Sequence, residues 1–275
     1  MPVPRLALLL VCGLAATATA QPARTARPGA ARAGKAAKID LAATSAALVG
    51  TDVAAAAKAA ATLGGSKDAA FHEPLRDLLA TGAHPDVVVA GLTALAATAQ
   101  PADVALAALY QDARHPQVRA AALRIVLATK PDPAVVMTAL RSFDEPVRAI
   151  GADAAGAAGL REAVPALLVL LDKGELPAAR ALAKLPDETL AKTIAARFGI
   201  APDAALAVAL GGMLVQPSFS AEPARLEVVR TLTKLSGIEP LAALEAYVKA
   251  TPATPPTQSR READGHLKSR QTGDR

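Results

Sequence analysis

The sequence predicts an all-α protein, an α-solenoid of about six to seven stacked antiparallel helix pairs. A proline that opens an alanine-rich stretch recurs through the middle of the chain. Counting from Val87 to Val118, Val147 and Ala179 gives steps of 31, 29 and 32 residues. A period of that size, with two helical patterns in each unit, is typical of stacked helix pairs. No stretch shows the sustained Val, Ile and Thr alternation of a strand, which favours a purely helical class.

The composition also favours stacking over a single globular core. Hydrophobic residues make up 52% of the 275 residues and are mostly alanine, while aromatic residues make up 2% and Trp is absent. An alanine-rich helix removes little apolar area from water, and each Å² contributes only about 25 cal/mol. Stability therefore has to accumulate by packing each helix pair against neighbours on both sides.

Turn-forming residues divide the chain into successive helix pairs. Breaks are expected at Gly64, Pro101, Pro131, Pro186 and Pro217, because glycine and proline are the strongest signals that a helix ends or begins. The expected pairs span residues 40–64, 67–99, 101–129, 132–159, 161–185, 187–215 and 221–250.

The first twenty residues have the pattern of a signal peptide. Arg5 gives a positive start, an apolar run extends from Leu6 to Leu14, and small residues end at Ala20, which predicts cleavage there and a periplasmic or secreted protein. A rival interpretation is a lipoprotein modified at Cys12. Val11 occupies a position that lipoprotein signals give to a small residue, and the apolar run continues past Cys12, so we favour cleavage after Ala20. No transmembrane anchor is expected, because no apolar run reaches roughly 20 residues.

The net charge of +5 is concentrated at the two ends of the chain. Residues 21–40 carry +4 and residues 251–275 carry +2, whereas residues 41–250 carry −2. The sequence therefore predicts a disordered basic linker over 21–39, a solenoid over 40–250 and a disordered, proline-rich basic tail over 251–275. A nearly neutral body gives no reason to expect nucleic acid as a partner, although the tails would make weak contacts with an anionic envelope surface.

The stretch from Arg148 to Arg180 resembles a HEAT repeat. The resemblance includes the run from Glu162 through Pro165 to Asp172, and the whole stretch is more closely similar to the short bacterial HEAT-like units that also occur in phycobilisome lyases. The resemblance covers about 41–215 and is clearest over 101–186. Residues 187–250 depart from it, which leaves them as degenerate repeats or a C-terminal cap.

The resemblance implies that first helices form a convex face and second helices a concave, partner-binding face. It also implies a structural ladder, in which aspartates and arginines link neighbouring turns by charge-assisted hydrogen bonds. The candidate ladder residues are Arg119, Arg148, Arg180, Asp112, Asp144 and Asp172.

Three charged residues are weak candidates for partner binding. Arg124, Asp153 and Lys184 fall at matching points of successive second helices, one turn or more beyond the ladder arginines. Because their signs alternate, they do not predict a continuous cationic stripe.

No cofactor, metal or catalytic site is expected. His84 and His115 occupy the same repeat position, and equivalent residues of adjacent repeats lie about 10 Å apart, too far for one ion to bridge. His72 beside Glu73 has no third suitable group in view. The motifs of nucleotide-binding loops, zinc proteases, hydrolases and EF-hands are also absent from the sequence.

These observations predict an exported, non-enzymatic HEAT-repeat scaffold that binds a protein or peptide on its concave face. The alternatives are a HEAT-like enzyme, of the chromophore lyase or DNA glycosylase type, and an envelope-associated protein held by its basic tails.

Overall fold

The protein is described by a computed structural model that covers residues 39–129 and 131–273. These residues form fifteen α-helices and no β-strand. Proline lies in the first turn of many of the helices, where its missing N–H costs no hydrogen bond. The helices are α1 (Leu41–Leu48), α2 (Val53–Gly64), α3 (Glu73–Thr81), α4 (Pro85–Leu95), α5 (Pro101–Ala108), α6 (Pro116–Thr129), α7 (Pro133–Leu140), α8 (Glu145–Ala158), α9 (Val164–Asp172), α10 (Leu176–Ala183), α11 (Glu188–Ala195), α12 (Asp203–Leu214), α13 (Glu222–Leu232), α14 (Ile238–Ala250) and α15 (Gln258–Gly273).

Helices α1 to α14 form seven consecutive pairs. Within each pair the first helix packs on the second, and the second helices α2, α4, α6, α8, α10, α12 and α14 pack on one another in an unbroken row. Successive first helices make fewer mutual contacts. The prediction of an all-α, HEAT-like α-solenoid of stacked helix pairs is therefore confirmed.

Small residues let the second helices approach closely. A Cβ atom built on Gly211 would lie 2.4 Å from Cβ of Ala243 on α14, and one built on Gly212 would lie 2.5 Å from Cβ of Ala183 on α10. Helix α12 is consequently buried on nearly every side, between α10 and α14. The paired glycines are thus a packing feature of the solenoid.

The core consists of two apolar clusters that meet at α6. One extends from Leu48 to Ile125 and the other from Ala120 to Ala263. Helix α6 contributes Ile125 to the first and Leu123 to the second. Because each pair is buried only by its neighbours, the core runs along the chain instead of gathering at one centre.

The region that departs from the repeat pattern still folds as repeats. Residues 187–250 form the two pairs α11–α12 and α13–α14, in the same alternation as the preceding pairs. The capping element lies further along, in α15.

The C-terminal tail differs from the sequence-based expectation of disorder, because residues 258–273 form helix α15, which packs on α13 and α14. Ser259 and Ala263 are fully buried, and Leu267 packs against the core. The guanidinium of Arg260 donates to the carbonyls of Val248 and Thr251 at the end of α14. These contacts hold a segment whose proline and charge content alone indicated disorder.

The predicted signal peptide, the lipoprotein alternative at Cys12 and the basic linker lie outside the described residues, apart from Ile39 at the linker's end. Within the described ranges, no helix combines the length and the hydropathy that a membrane crossing would need.

Candidate functional site

Two of the candidate ladder residues, Arg119 and Asp144, form an ion pair in the structure. Arg119 on α6 donates to the carboxylate of Asp144, which is the N-cap residue of α8 in the next pair. The same guanidinium donates to the carbonyls of Ala113 and, at 2.9 Å, Arg114 in its own pair. One side chain therefore fixes the loop of its pair and the start of the next second helix.

Arg148 repeats this arrangement one pair later. Its Nε lies 2.8 Å from Oε1 of Glu175, the N-cap residue of α10, and its Nη1 donates to the carbonyls of Ser142 at 3.0 Å and Phe143 at 2.7 Å. The hydrogen bond to Glu175 raises the pKa of Arg148 above its ordinary value, so the ladder contact is charge-assisted. The carboxylate also lies at a helix N-terminus, where the helix dipole favours negative charge.

The remaining ladder predictions need correction. Asp172 pairs not with Arg180 but with Arg197 of the following pair, with 2.9 Å between Oδ1 and Nε at an angle unsuited to a hydrogen bond. In the described part of the chain, neither Asp112 nor Arg180 takes part in an ion pair.

The register of α10 explains why Arg180 is not a ladder residue. Arg119 lies four residues after His115, the residue that precedes α6. Arg148 lies four residues after Asp144, the N-cap residue of α8. In α10 the fourth residue after Glu175 is buried Ala179, and Arg180 is one residue further. One residue turns a side chain by about 100° around the helix axis, which directs Arg180 away from the ladder.

A fourth ion pair between neighbouring helix pairs was not predicted from the sequence, and it joins two first helices. Arg76 on α3 donates through Nε to Oδ1 of Asp103 on α5 at 2.8 Å and through Nη2 to Oε1 of Gln100 at 3.0 Å. Asp103 is fully buried, and the hydrogen bond to it raises the pKa of Arg76. The spacing Gln100-x-x-Asp103, a capping box, was the available signal.

The three weak binding candidates are exposed, as expected for residues on the second helices. Arg124 lies on α6, Asp153 on α8 and Lys184 at the end of α10. None of them forms an ion pair with a described residue. The next second helix, α12, adds no exposed charged residue to these three, because its side chains are largely buried. Arg124, Asp153 and Lys184 therefore do not form an extended binding surface on the second helices.

A different surface carries most of the exposed large apolar side chains. We call it the loop edge and define it as the loops that join the first and second helices of pairs three to seven, with the first residue of the helix that follows. The exposed fraction of the residue surface on this edge is 72% for Leu109, 102% for Phe143, 69% for Ile200 and 75% for Ile238. The loop edge consists of residues 109–116, 141–145, 173–176, 196–203 and 233–238, and also exposes Leu176 and Phe198.

Two grooves flank the most exposed of these residues. Phe143 contributes to a groove of about 650 Å³, which Arg119 and Asp144 also line, and to a second groove of about 760 Å³, which Pro165 and Val169 line. An apolar side chain that stands between two open grooves can contact a partner on both of its faces.

The loops are held by internal hydrogen bonds although their side chains are exposed. Arg148 holds the carbonyl of Phe143, and the N–H of Ser236 donates to Asp203 of the preceding pair at 2.8 Å. The loop edge is therefore a set of exposed apolar groups on a fixed backbone.

His72 and His84 lie apart from this edge and make local contacts, whereas His115 lies on it, just before α6. His84 caps α4 and accepts from the N–H of Asp86 at 3.3 Å, while buried His72 contacts the carbonyl of Ser66 at 2.8 Å through Nε2. The described residues contain no group of three or more His, Cys, Asp or Glu side chains arranged to hold a metal ion.

Comparisons with known proteins give one kind of match. No family model matches the sequence and no curated protein matches it. Solved structures do match, among them "The structure of the complex of CpcE and CpcF of phycocyanin lyase from Nostoc sp. PCC7120". The alignment is 18% identical, covers 90% of this chain and 99% of that chain, and has a TM-score of 0.44.

This finding contradicts two predictions. The sequence indicated a non-enzymatic scaffold and therefore no enzyme, whereas the similar structure is that of a lyase, an enzyme type. At this identity and TM-score, the likeness assigns no activity to the chain.

Proposed function

We propose that the chain is a HEAT-like protein that resembles the lyase in how it assembles. It works as a subunit in complex with a second protein, and it contacts that protein along the loop edge. We assign assembly to the chain and no reaction. The observation that carries this proposal is the row of exposed apolar residues on successive loops, with Phe143 fully exposed on the second of the five loops.

Exposure of this kind is costly in water and favourable in an interface. Large apolar groups that recur along one edge mark protein interaction sites more often than scattered exposed residues do. Aromatic side chains such as Phe143 and Phe198 are enriched in interfaces, where a few buried anchors supply most of the binding free energy.

The fixed backbone strengthens the proposal. Binding is weakened when a loop must be ordered first, and the hydrogen bonds from Arg148 to the carbonyls of Ser142 and Phe143 have already ordered this loop. Phe143 is therefore presented in a defined position before any partner arrives.

The similar solved structure is described as a complex of two proteins, CpcE and CpcF. The support comes from the loop edge alone, because the likeness is too low to carry an argument.

Site-specific photo-crosslinking in the source cells tests the proposal. A benzoylphenylalanine is placed at position 143 or 200, and a matched control places it at Val215, an exposed apolar residue just after α12 and outside the loop edge. We expect a discrete protein adduct from positions 143 and 200 and none from 215.

Substitution gives the second arm of the test. Phe143→Ser and Ile200→Ser should abolish co-purification of the crosslinked protein while circular dichroism remains unchanged, since both side chains are exposed. Equal adducts from positions 143 and 215, or none from 143 and 200, would contradict the proposed interface.

We also propose that the chain is exported, on the basis of Arg5, the apolar run and the small residues before Gln21. N-terminal sequencing of the protein from an envelope fraction should begin at Gln21. Recovery of the protein with its first twenty residues in the cytoplasmic fraction would contradict export.

A further inference from the structure

We propose that the protein that contacts the loop edge is a second copy of this chain, related to the first by a two-fold axis between the loops of the fourth and fifth pairs. In this dimer, Phe143 of each copy occupies a groove of the other copy. The inference rests on the proposed function, and it names the partner at the same site.

The chain presents an exposed aromatic side chain and an apolar groove next to each other. Phe143 is fully exposed on the loop of the fourth pair, and the groove of about 760 Å³ beside it lies between α7 and α9. Pro165 and Val169 line this groove, and Val169 is 54% exposed although it lies on a helix and not in a loop. An anchor residue and the pocket that receives it are the central elements of a protein interface.

Phe143 does not fill this groove within its own chain. It contributes to the wall, and because its side chain is fully exposed, the groove remains open. A two-fold interface brings the same surface patch together from both copies, so a residue that enters a site on the other copy is matched by the reciprocal contact. An axis beside the groove therefore places each Phe143 in the groove of the other copy.

The axis also determines which loops face each other. Two copies related by a two-fold axis run in opposite directions along the edge, so the loop of the fourth pair faces that of the fifth, and the third faces the sixth. Each of these loops exposes a large apolar residue. Phe143 therefore faces Leu176, and Leu109 faces Ile200.

The loop edge carries no net formal charge, because its five cations are matched by five carboxylates. The cations are Arg114, Arg141, Lys173, Arg197 and Lys234, and the carboxylates are Asp112, Asp144, Glu145, Glu175 and Asp203. A strongly charged edge would oppose the association of two identical surfaces, whereas this edge allows it.

The facing loops also bring opposite charges together. Glu145 of the fourth pair and Lys173 of the fifth are exposed, and neither forms an ion pair with a described residue. Arg114 of the third pair and Asp203 of the sixth are likewise outside these ion pairs, although Asp203 accepts a hydrogen bond from the N–H of Ser236. In the dimer each of these two cations faces a carboxylate of the other copy.

The remaining free charges have neighbours of opposite sign within one copy. Asp112 and Arg141 line the same groove of about 650 Å³. Lys234 of the seventh pair is followed five residues later by Glu239, at the start of α14. No excess of one sign is therefore left that would favour a strongly acidic or strongly basic partner over a second copy.

Sedimentation equilibrium of the purified protein tests the inference. We expect a dimer that does not grow into larger species as the concentration rises, because a two-fold interface is closed. Phe143→Ser and Val169→Ser should each weaken the dimer by at least about tenfold. Val215→Ser, at an exposed valine outside the loop edge and the groove, should leave it within about twofold.

Charge reversal at one pair of facing loops gives a readout specific to the two-fold arrangement. Glu145→Lys and Lys173→Glu should each weaken the dimer by about tenfold, because each places like charges opposite each other at two symmetric positions. An equimolar mixture of the two variants should restore the affinity of the wild type. In the mixed dimer, Lys at position 145 faces Glu at position 173, and the unaltered residues face each other.

Glu188→Lys and Lys192→Glu are the matched controls for the charge reversals. Glu188 is the first residue of α11 as Glu145 is of α8, and both control residues are exposed outside the loop edge. Neither control variant should change the dimer by more than about twofold. A protein that stays monomeric at every concentration, a dimer that the single reversals do not weaken, or one that the mixture does not restore would overturn the inference.

The two proposals can fail separately. A second copy predicts that the adduct from positions 143 and 200 has twice the mass of the chain. If these positions crosslink to a different protein in cells and the purified chain is a monomer, the second copy is wrong and the interface stands. If neither position crosslinks, the interface itself is wrong.

Discussion

Arg148 and Glu175 join two neighbouring helix pairs through a single ion pair, with 2.6 Å between Nη2 and Oε1. Both side chains are mostly shielded from water, with 17% and 12% of their surface exposed. Because the same guanidinium also holds the carbonyls of Ser142 and Phe143, it connects the loop that carries the exposed phenylalanine to the next second helix.

Arg148→Met is expected to destabilise the protein. The substitution keeps most of the apolar stem but leaves the Glu175 carboxylate and two loop carbonyls without their donor, which should lower the free energy of unfolding by about 2 kcal/mol. Urea unfolding followed by circular dichroism measures the change. Arg180→Met is the matched control, and it should stay within about 0.5 kcal/mol because exposed Arg180 has no ladder contact. Equal losses in both variants would contradict the ladder as the structure shows it.

The repeat could be predicted from the sequence, whereas the ladder could be predicted only in part. Prolines at a regular period locate the second helices, and that argument selected Arg119 and Arg148, which form ion pairs with Asp144 and with the unpredicted Glu175. It also selected Arg180, because Arg180 lies three residues after a proline just as Arg119 does, although it is the fifth residue of its helix and Arg119 the fourth. The direction of a side chain depends on its register relative to the helix start, which the structure supplies.

Helix α15 shows a different limit. Proline and charge dominate the composition of residues 251–275, and composition alone predicted disorder. The spacing of Ser259, Ala263 and Leu267 on one helical face was a signal for docking, since residues four apart lie on the same side of a helix. Its partner, the end of the last pair, could not be located without the preceding repeats.

The loop edge was not predicted, although its residues are apparent in the sequence. Phe143, Ile200 and Ile238 are apolar residues near turns, and a turn residue can be either buried or exposed. Only the stacking of the pairs brings these loops to one edge. The fold could therefore be predicted from local sequence patterns, whereas the candidate site depends on how the repeats pack together.

Gly211→Ala and Gly212→Ala should each destabilise the solenoid. The added methyl groups would meet Ala243 and Ala183 at distances well inside van der Waals contact, and overpacking of this kind typically costs about 1–3 kcal/mol. Thermal unfolding measures the loss. Gly265→Ala in α15 is the control, because open space surrounds that position, and better helix propensity should stabilise it by up to about 1 kcal/mol. A neutral result at both 211 and 212 would contradict the close approach of α12 to its neighbours.

Ser259→Ala should loosen the C-terminal helix. The buried hydroxyl of Ser259 lies 2.6 Å from the Tyr247 hydroxyl and 3.0 Å from Oε2 of Glu222, so its loss leaves the buried Tyr247 and the partly buried Glu222 with fewer partners. The cost should be about 2 kcal/mol. Amide hydrogen exchange should become faster across α15 first, because a terminal helix can open without the rest of the fold. Ser269→Ala, at an exposed position of the same helix, should leave exchange unchanged, and similar acceleration in both variants would contradict the buried network.

Tyr110 should make stability depend on pH in the alkaline range. Burial raises the pKa of its phenol above the ordinary value, so the folded state holds the proton more tightly than the unfolded chain does. The stabilisation is therefore complete below about pH 10, the ordinary tyrosine value, and is lost as pH rises towards the raised pKa.

Comparison with Tyr110→Phe isolates this effect from the other groups that titrate in the same range. At pH 7 the variant should be less stable by about 1 kcal/mol, because it lacks the hydrogen bond that the phenol donates to the carbonyl of Leu79 in the preceding pair. Above about pH 10 the wild type should lose stability faster than the variant, since only the wild type has this phenol to ionise. Urea unfolding at a series of pH values measures both proteins. A stability difference that stays constant from neutral to alkaline pH would show that Tyr110 ionises as readily in the folded protein as in the unfolded chain.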